Sequence, residues 1–247
     1  MKKRNYEVTT EVIYVQNGNN RIYGEMFKPE GDGPFPLVIY SHGYGYNYEE
    51  YSMKNLAKNG IAAYRFDFCG GSPFSRSDGK STDMSVITEA SDLEAVFDEL
   101  KQLSYIDEAQ IYLSGNSQGG FVSTIVGINR GDEVKGLFLL CPAYTIIDFN
   151  RTFGPIHGIT HVINMDISER YAVDTENYDL YNEMKKYDGP VIIYHGTRDE
   201  MVPLSYSERA IENFPDAQLV TLKGAGHSFG YAYSSLVEKS IIEHIKE

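Results

Sequence analysis

The 247-residue sequence predicts one α/β domain: a mostly parallel central sheet with helices on both faces, an antiparallel N-terminal edge and a small inserted cap. Three observations point there. Short, nearly continuous apolar runs at 37–40, 61–68, 111–113, 134–141 and 190–195 read as strands buried on both faces. Segments of helical periodicity separate most of them, and that alternation implies a mostly parallel sheet with helices on both faces. Finally, Gly115-Asn116-Ser117-Gln118-Gly119 joins one apolar run to a helical segment with almost no connecting chain.

The chain opens with a hairpin. Residues 6–16 alternate apolar and polar side chains, Asn17-Gly18-Asn19-Asn20 supplies the turn, and 21–28 return. A proline-rich loop, 29–36, leads to the buried run 37–40. A helix is expected over 48–59, with Gly60 as its stop. The run 61–68 follows, then a polar loop over 70–81. Val86, Ala90, Leu93, Phe97 and Leu100 share one face of the most regular helix, with Thr82 or Asp83 as its cap. A strand over 110–113, the glycine turn, a helix over 119–129 and a strand over 134–141 come next. Residues 142–188 break the alternation. They are long, aromatic and without clean periodicity, which argues for an inserted cap subdomain rather than a bare loop. A strand over 190–195, a helix over 205–213, a strand over 218–222 and an amphipathic helix over 234–245 complete a single domain, 1–247.

Composition limits the function. Hydrophobic residues make up 42% of the chain, enough for one large core. The formal net charge of −13 disfavours nucleic acid and anionic membrane surfaces, which need basic patches, and fits a neutral or weakly charged small molecule. Cys69 and Cys141 lie outside any metal-ligand spacing and are expected as buried, reduced thiols. The basic start, Met1 to Arg4, is not followed by the apolar stretch of a signal peptide, and no run approaches the ~20 apolar residues of a membrane span. The expectation is a soluble, cytoplasmic protein without cofactor or metal; a homodimer stays open.

In sheets of this kind, ligands gather beyond the carboxyl ends of the strands. Four such ends carry special residues: Ser117, His42-Gly43-Tyr44, His195-Gly196-Thr197-Arg198-Asp199 and Gly224-Ala225-Gly226-His227. A serine hydroxyl needs a base, and that base needs a carboxylate to fix its tautomer. His227 is expected as the base and Asp199 as the acid, in preference to the adjacent Glu200. Two backbone donors should meet the oxyanion: the amide of Gln118, at a helix N-terminus, and the amide of Tyr44, with Gly43 as the alternative. His42, His195 and Asp67 are expected to be structural, and His244 solvated. His157 and His161, four apart, could share a helix face, but no third ligand at metal spacing accompanies them.

These segments, with the elbow Gly115-Asn116-Ser117-Gln118-Gly119-Gly120, resemble the α/β-hydrolase superfamily over nearly the whole chain. The elbow, the size and the insertion after Pro142 resemble the bacterial feruloyl (cinnamoyl) esterases in particular. That resemblance implies a serine carboxylesterase acting on hydroxycinnamate esters of sugars or small alcohols, under a cap whose polar residues hold the phenolic end. By position it assigns that contact to Asp148 and Tyr171. Asn116 replaces the histidine many relatives carry there, and the chain has no Trp, so aromatic contacts fall to Tyr and Phe. Tyr144, Phe149, Phe153, Tyr171, Tyr178 and Tyr181 could line a slot for a planar acid or form the cap's own core; Tyr144 is taken as a third substrate contact. The alternatives are a monoacylglycerol lipase or general short-chain esterase, and a non-catalytic binding protein on the same fold.

Overall fold

The computed structural model describes residues 5–149 and 156–247; the first four residues and Phe153 lie outside them. Strands β1 (Val8–Asn17) and β2 (Asn20–Pro29) form the hairpin, turning at Gly18 with φ 56°. β3 (Phe35–Ser41), β4 (Ala62–Phe66), β5 (Ile106–Asn116), β6 (Gly136–Leu140), β9 (Val191–Gly196) and β10 (Ala217–Leu222) extend it into one eight-stranded sheet. Its order is β1-β2-β4-β3-β5-β6-β9-β10. Only β1 with β2 and β2 with β4 pair antiparallel; all other neighbours are parallel. The antiparallel edge and parallel body are those expected.

The apolar runs are double-sided, and alternation sorts them into two cores. Leu37, Ile39, Ile111, Leu113, Leu137, Leu139 and Ile193 face one way, under α2 (Val86–Lys101) and α3 (Gln118–Arg130). Val38, Tyr40, Tyr112, Phe138, Leu140, Ile192 and Tyr194 face the other, under α1 (Met53–Lys58) and the C-terminal helix, Gly230–Lys246. Among the described residues no helix is long and apolar enough to cross a membrane.

Several boundaries differ from expectation, two of them for a hydrogen-bonding reason. α1 starts at Met53 rather than near 48, because the Ser52 hydroxyl caps it by accepting from the Asn55 amide. The chain before it bends and is anchored outside the helix: the Glu50 amide donates to the Tyr40 hydroxyl, and Tyr51 donates to Ser114 Oγ. α2 is capped by Ser85 in a reciprocal box with Thr88, while Thr82 and Asp83 lie in the preceding 3-10 turn. The last helix begins at Gly230, four residues early.

Between β6 and β9 the chain carries a separate two-stranded sheet, β7 (Ile159–Val162) with β8 (Met165–Ser168). Two one-turn helices follow, α4 (Arg170–Val173) and α5 (Leu180–Glu183). Next come α6 (Ser205–Ile211), between β9 and β10, and the C-terminal helix, α7. The β7–β8 tip reaches back over the end of β3: Asn164 Nδ2 donates to the Gly45 carbonyl at 2.7 Å, and the Tyr44 hydroxyl to the Val162 carbonyl at 3.0 Å.

Candidate active site

Ser117 stands between β5 and α3 with φ 53° and ψ −117°, a conformation that side-chain-bearing residues rarely adopt. The surroundings over-determine it. Its amide donates to the Leu140 carbonyl at 2.8 Å, and its carbonyl accepts from Gly120, Phe121 and Ala143. The glycines on either side are there because backbone fills the space. A Cβ on Gly115 would lie 2.1 Å from the Gly119 carbonyl oxygen, and one on Gly119 2.2 Å from that of Ser41. Neither contact can be relieved by a side-chain rotation. Gly119→Ala is therefore expected to destabilise the protein by about 3 kcal/mol or more, read as a lower urea midpoint; an unchanged midpoint would show that the turn can relax.

Ser117 Oγ lies 3.0 Å from His227 Nε2, and His227 Nδ1 lies 2.8 Å from Asp199 Oδ2. His227 comes from the loop after β10, and Asp199 from the turn after β9, so three separate strand ends converge. The Asp199 side chain is wholly buried. Burial alone would push its carboxyl up, but hydrogen bonds from His195, His227 and the Val202 amide outweigh that and hold it well below the usual carboxylate range. Its Oδ1 accepts from the Met201 and Val202 amides at 2.9 and 2.8 Å. The site thus keeps an ionised carboxylate aimed at the far nitrogen of His227.

His195 does more than bond loop backbone. Its Nε2 lies 2.9 Å from the Val202 carbonyl and 3.3 Å from Asp199 Oδ2, and its Nδ1 lies 2.7 Å from Ser207 Oγ. It helps seat the acid, and the signal was available in its place four residues before Asp199, at the end of the same strand. Cys141, with φ 36°, closes the other side: its buried Sγ lies 3.2 Å from the His227 carbonyl and 3.3 Å from Asn116 Oδ1. Burial pushes this thiol up, towards the unreactive protonated form. Ligand atoms of Cys141, Asp199 and His227 lie within 4.8 Å of one another, but both ring nitrogens of His227 are already engaged.

The Gln118 amide opens α3, where a helix has no acceptor of its own for its first N–H groups and its dipole favours an anion. Tyr44 lies in the loop after β3. Gly43 brings that loop close; a Cβ there would stand 3.3 Å from that of Ser117. Two cavities meet at Ser117 and His227. One, of about 250 Å³, is bounded chiefly by Tyr44, Gln118, Ile146, Phe149, Val162 and Tyr171. The other, of about 340 Å³, runs past Tyr46, Tyr48, Asn116 and Ser228.

Of the three residues assigned to substrate, only Tyr171 is among the described residues lining these two cavities. It is buried, and its hydroxyl donates to Gln118 Oε1 at 2.6 Å. Asp148 accepts from the Tyr206 hydroxyl at 2.8 Å. Tyr144 lies in the core: it is fully buried between Phe121 and Tyr181, its hydroxyl 2.8 Å from Thr124 Oγ1. Tyr144→Phe should cost about 1 kcal/mol of stability through that lost hydrogen bond and leave KM for any ester unchanged; a raised KM would return Tyr144 to the site. His42 is structural, accepting from the Phe68 amide, and Asp67 holds Arg76 through both oxygens. His161 lies on β7 bonded to Asp166, so His157 and His161 do not share a helix face. His244 packs edge-on against Phe138 rather than lying free in water.

An eight-stranded sheet of this order, with a strained serine between strand and helix and a histidine and aspartate from later strand ends, defines an α/β-hydrolase. Residues 32–164 match the family model described as serine aminopeptidase, S33, and residues 169–247 that described as TAP-like protein. The chain belongs to the serine aminopeptidase S33 family of α/β-hydrolases. Among solved structures, Est1E from Butyrivibrio proteoclasticus with ferulic acid bound is 25% identical, with TM-score 0.84, covering 95% of this chain and all of that one. An esterase from Exiguobacterium antarcticum, 20% identical with TM-score 0.72, covers 96% of this chain and all of its own, and shares the fold. The uncharacterized peptidase YuxL of Bacillus subtilis is 21% identical over 92% of this chain, which spans only 36% of that protein's length.

Proposed function

We propose that the protein is a serine carboxylesterase and that its acyl group is a hydroxycinnamate. The observation that carries the reading is the hydrogen-bonded run from Ser117 through His227 to Asp199, beside an apolar cavity whose lining includes the rings of Tyr44, Phe149 and Tyr171. Ser117 Oγ attacks the ester carbonyl as His227 Nε2 takes its proton. The amides of Gln118 and Tyr44 receive the charge that develops on the carbonyl oxygen. His227 then protonates the departing alcohol, and a water activated by the same histidine releases the acid.

Cavity size and lining support the acyl group. About 250 Å³ is small for a ligand pocket and suits one flat ring on a short linker better than a long acyl chain, which argues against a monoacylglycerol lipase. Tyr44, Phe149 and Tyr171, which pack edge-to-face on one another, offer aromatic surface to such a ring. The likeness to Est1E, solved with ferulic acid, supports the same choice. Residues 142–188, acting as the cap, would supply most of this wall.

The test is an ester panel with a constant alcohol. Methyl ferulate is expected to exceed methyl hexanoate in kcat/KM by about tenfold or more, the discrimination that shape and ring contacts in an apolar pocket can provide. A preference for the aliphatic ester would remove the hydroxycinnamoyl reading and leave the esterase. Faster hydrolysis of aminoacyl 4-nitroanilides than of any ester would point to a peptidase. Failure of the folded protein to react with a fluorophosphonate would favour a binding module.

A further inference from the structure

Glu89 is a carboxyl that the reaction described above does not use. It sits in α2, 1% exposed, among Val86, Ala90 and Leu93. Its Oε2 accepts from Gln118 Nε2 at 2.7 Å, and Gln118 Oε1 in turn accepts from the Tyr171 hydroxyl at 2.6 Å. All three side chains are buried. A polar chain therefore crosses the core from a scaffold helix, through the residue after the nucleophile, to the wall of the acyl cavity. Glu89 Oε1 has no hydrogen-bond partner among the described residues. Room is kept for it, since a Cβ on Gly71 would stand 2.8 Å away. Burial favours the neutral acid, against the hydrogen bond from Gln118.

A buried carboxyl with one unmatched oxygen is a poor choice for stability; an apolar side chain would avoid the penalty. An apolar side chain could not orient an amide, however. By accepting from Nε2, Glu89 leaves Gln118 Oε1 turned towards Tyr171, the one arrangement in which both bonds form with this tyrosine donating. The held ring then packs edge-to-face against Tyr44 at 5.8 Å and Phe149 at 5.5 Å.

We propose that Glu89 is a positioning residue which, through the Gln118 side chain, holds Tyr171 in place and so sets which acyl groups the cavity admits. The proposal rests on the reading of Ser117 as an esterase nucleophile. Glu89 touches neither substrate nor the reacting atoms, so its influence falls on KM for a bulky, flat acyl group more than on kcat.

The experiment compares Glu89→Leu, Glu89→Gln, Tyr171→Phe and the Glu89→Leu/Tyr171→Phe double variant on methyl ferulate and methyl acetate. Glu89→Leu and Tyr171→Phe should each lower the ferulate-to-acetate ratio of kcat/KM by about tenfold, mainly through KM for the ferulate, as loss of one buried hydrogen bond would. The double variant should be no worse than either single one, since both break one chain. Glu89→Gln keeps an acceptor oxygen and should stay within about threefold of wild type. The proposal is overturned if the two single effects multiply, or if Glu89→Leu lowers kcat on both esters alike with KM unchanged. Should Glu89→Leu not fold, Gln118→Leu cuts the chain at its middle and must shift the ratio equally; an unshifted ratio overturns the proposal. If the wild type hydrolyses neither ester, the esterase reading fails, and amide hydrogen exchange over residues 170–173 decides on Glu89 separately. Faster exchange in Glu89→Leu but not in Glu89→Gln supports the positioning role; equal protection in both overturns it.

Discussion

Ser117→Ala is expected to lower kcat on an ester by on the order of 10⁴ to 10⁶, with little change in KM. The Ser117 hydroxyl, 3.0 Å from His227 Nε2, lines both cavities with that base beside it. Removing it deletes the covalent step but leaves the Tyr44 and Gln118 amides, so a small residual rate over water should persist. Alanine also leaves the strained backbone to be held by the same bonds from Leu140, Gly120, Phe121 and Ala143, and the thermal midpoint should move little. Stopped-flow turnover of 4-nitrophenyl acetate checks this directly: the wild type should show an acyl-enzyme burst and the variant none. Near-normal turnover by a folded Ser117→Ala protein would sink the triad assignment.

Asp199→Asn is expected to lower kcat by about 10⁴ while the fold survives. The carboxylate accepts from His227 Nδ1, which keeps the unprotonated Nε2 facing Ser117. An amide group can offer a donor there instead, which favours the other tautomer and leaves the serine without a base. The same carboxylate carries a stability effect with a definite sign. Its folded-state pKa lies below its unfolded value, so its contribution is fully present above about pH 4, the ordinary aspartate value, and is lost as pH falls through the lower folded value. Denaturant unfolding of wild type and Asp199→Asn should therefore differ by a constant amount between about pH 5 and 8 and converge below about pH 4. A difference that widens on acidification would contradict the hydrogen-bond account of Asp199.

Local pattern carried most of the scaffold. Leu37 and Ile39 face one core and Val38 and Tyr40 the other because a strand's side chains alternate, and a run apolar at every position can satisfy only a sheet covered on both faces. The elbow was legible because its glycines answer to backbone atoms within a few residues or on the adjacent strand. Ser117, Asp199 and His227 were legible because a parallel sheet delivers all its strand ends to one edge, so chain order alone could nominate them.

The segment between β6 and β9 was legible only as an interruption. Its elements among the described residues are three to five residues long, too short for a period of 2 or 3.6 to show, and the destinations of its tyrosines depend on partners far along the chain. Tyr144 entered the core because Thr124, twenty residues earlier, met its hydroxyl; Tyr171 reached the cavity because Gln118, fifty-three residues earlier, met its own. Glu89's register, three residues after Val86 and four before Leu93, places it on the apolar face of α2, but its partner there is set only when the elbow packs on top of it. The sequence by itself determined the sheet and the turn, since these follow from side-chain period and backbone sterics, and it nominated the proposed triad by its place at the strand ends. Tertiary structure alone decided which buried polar side chains would pair with which, because a hydrogen bond between distant residues leaves no periodic trace in either of them.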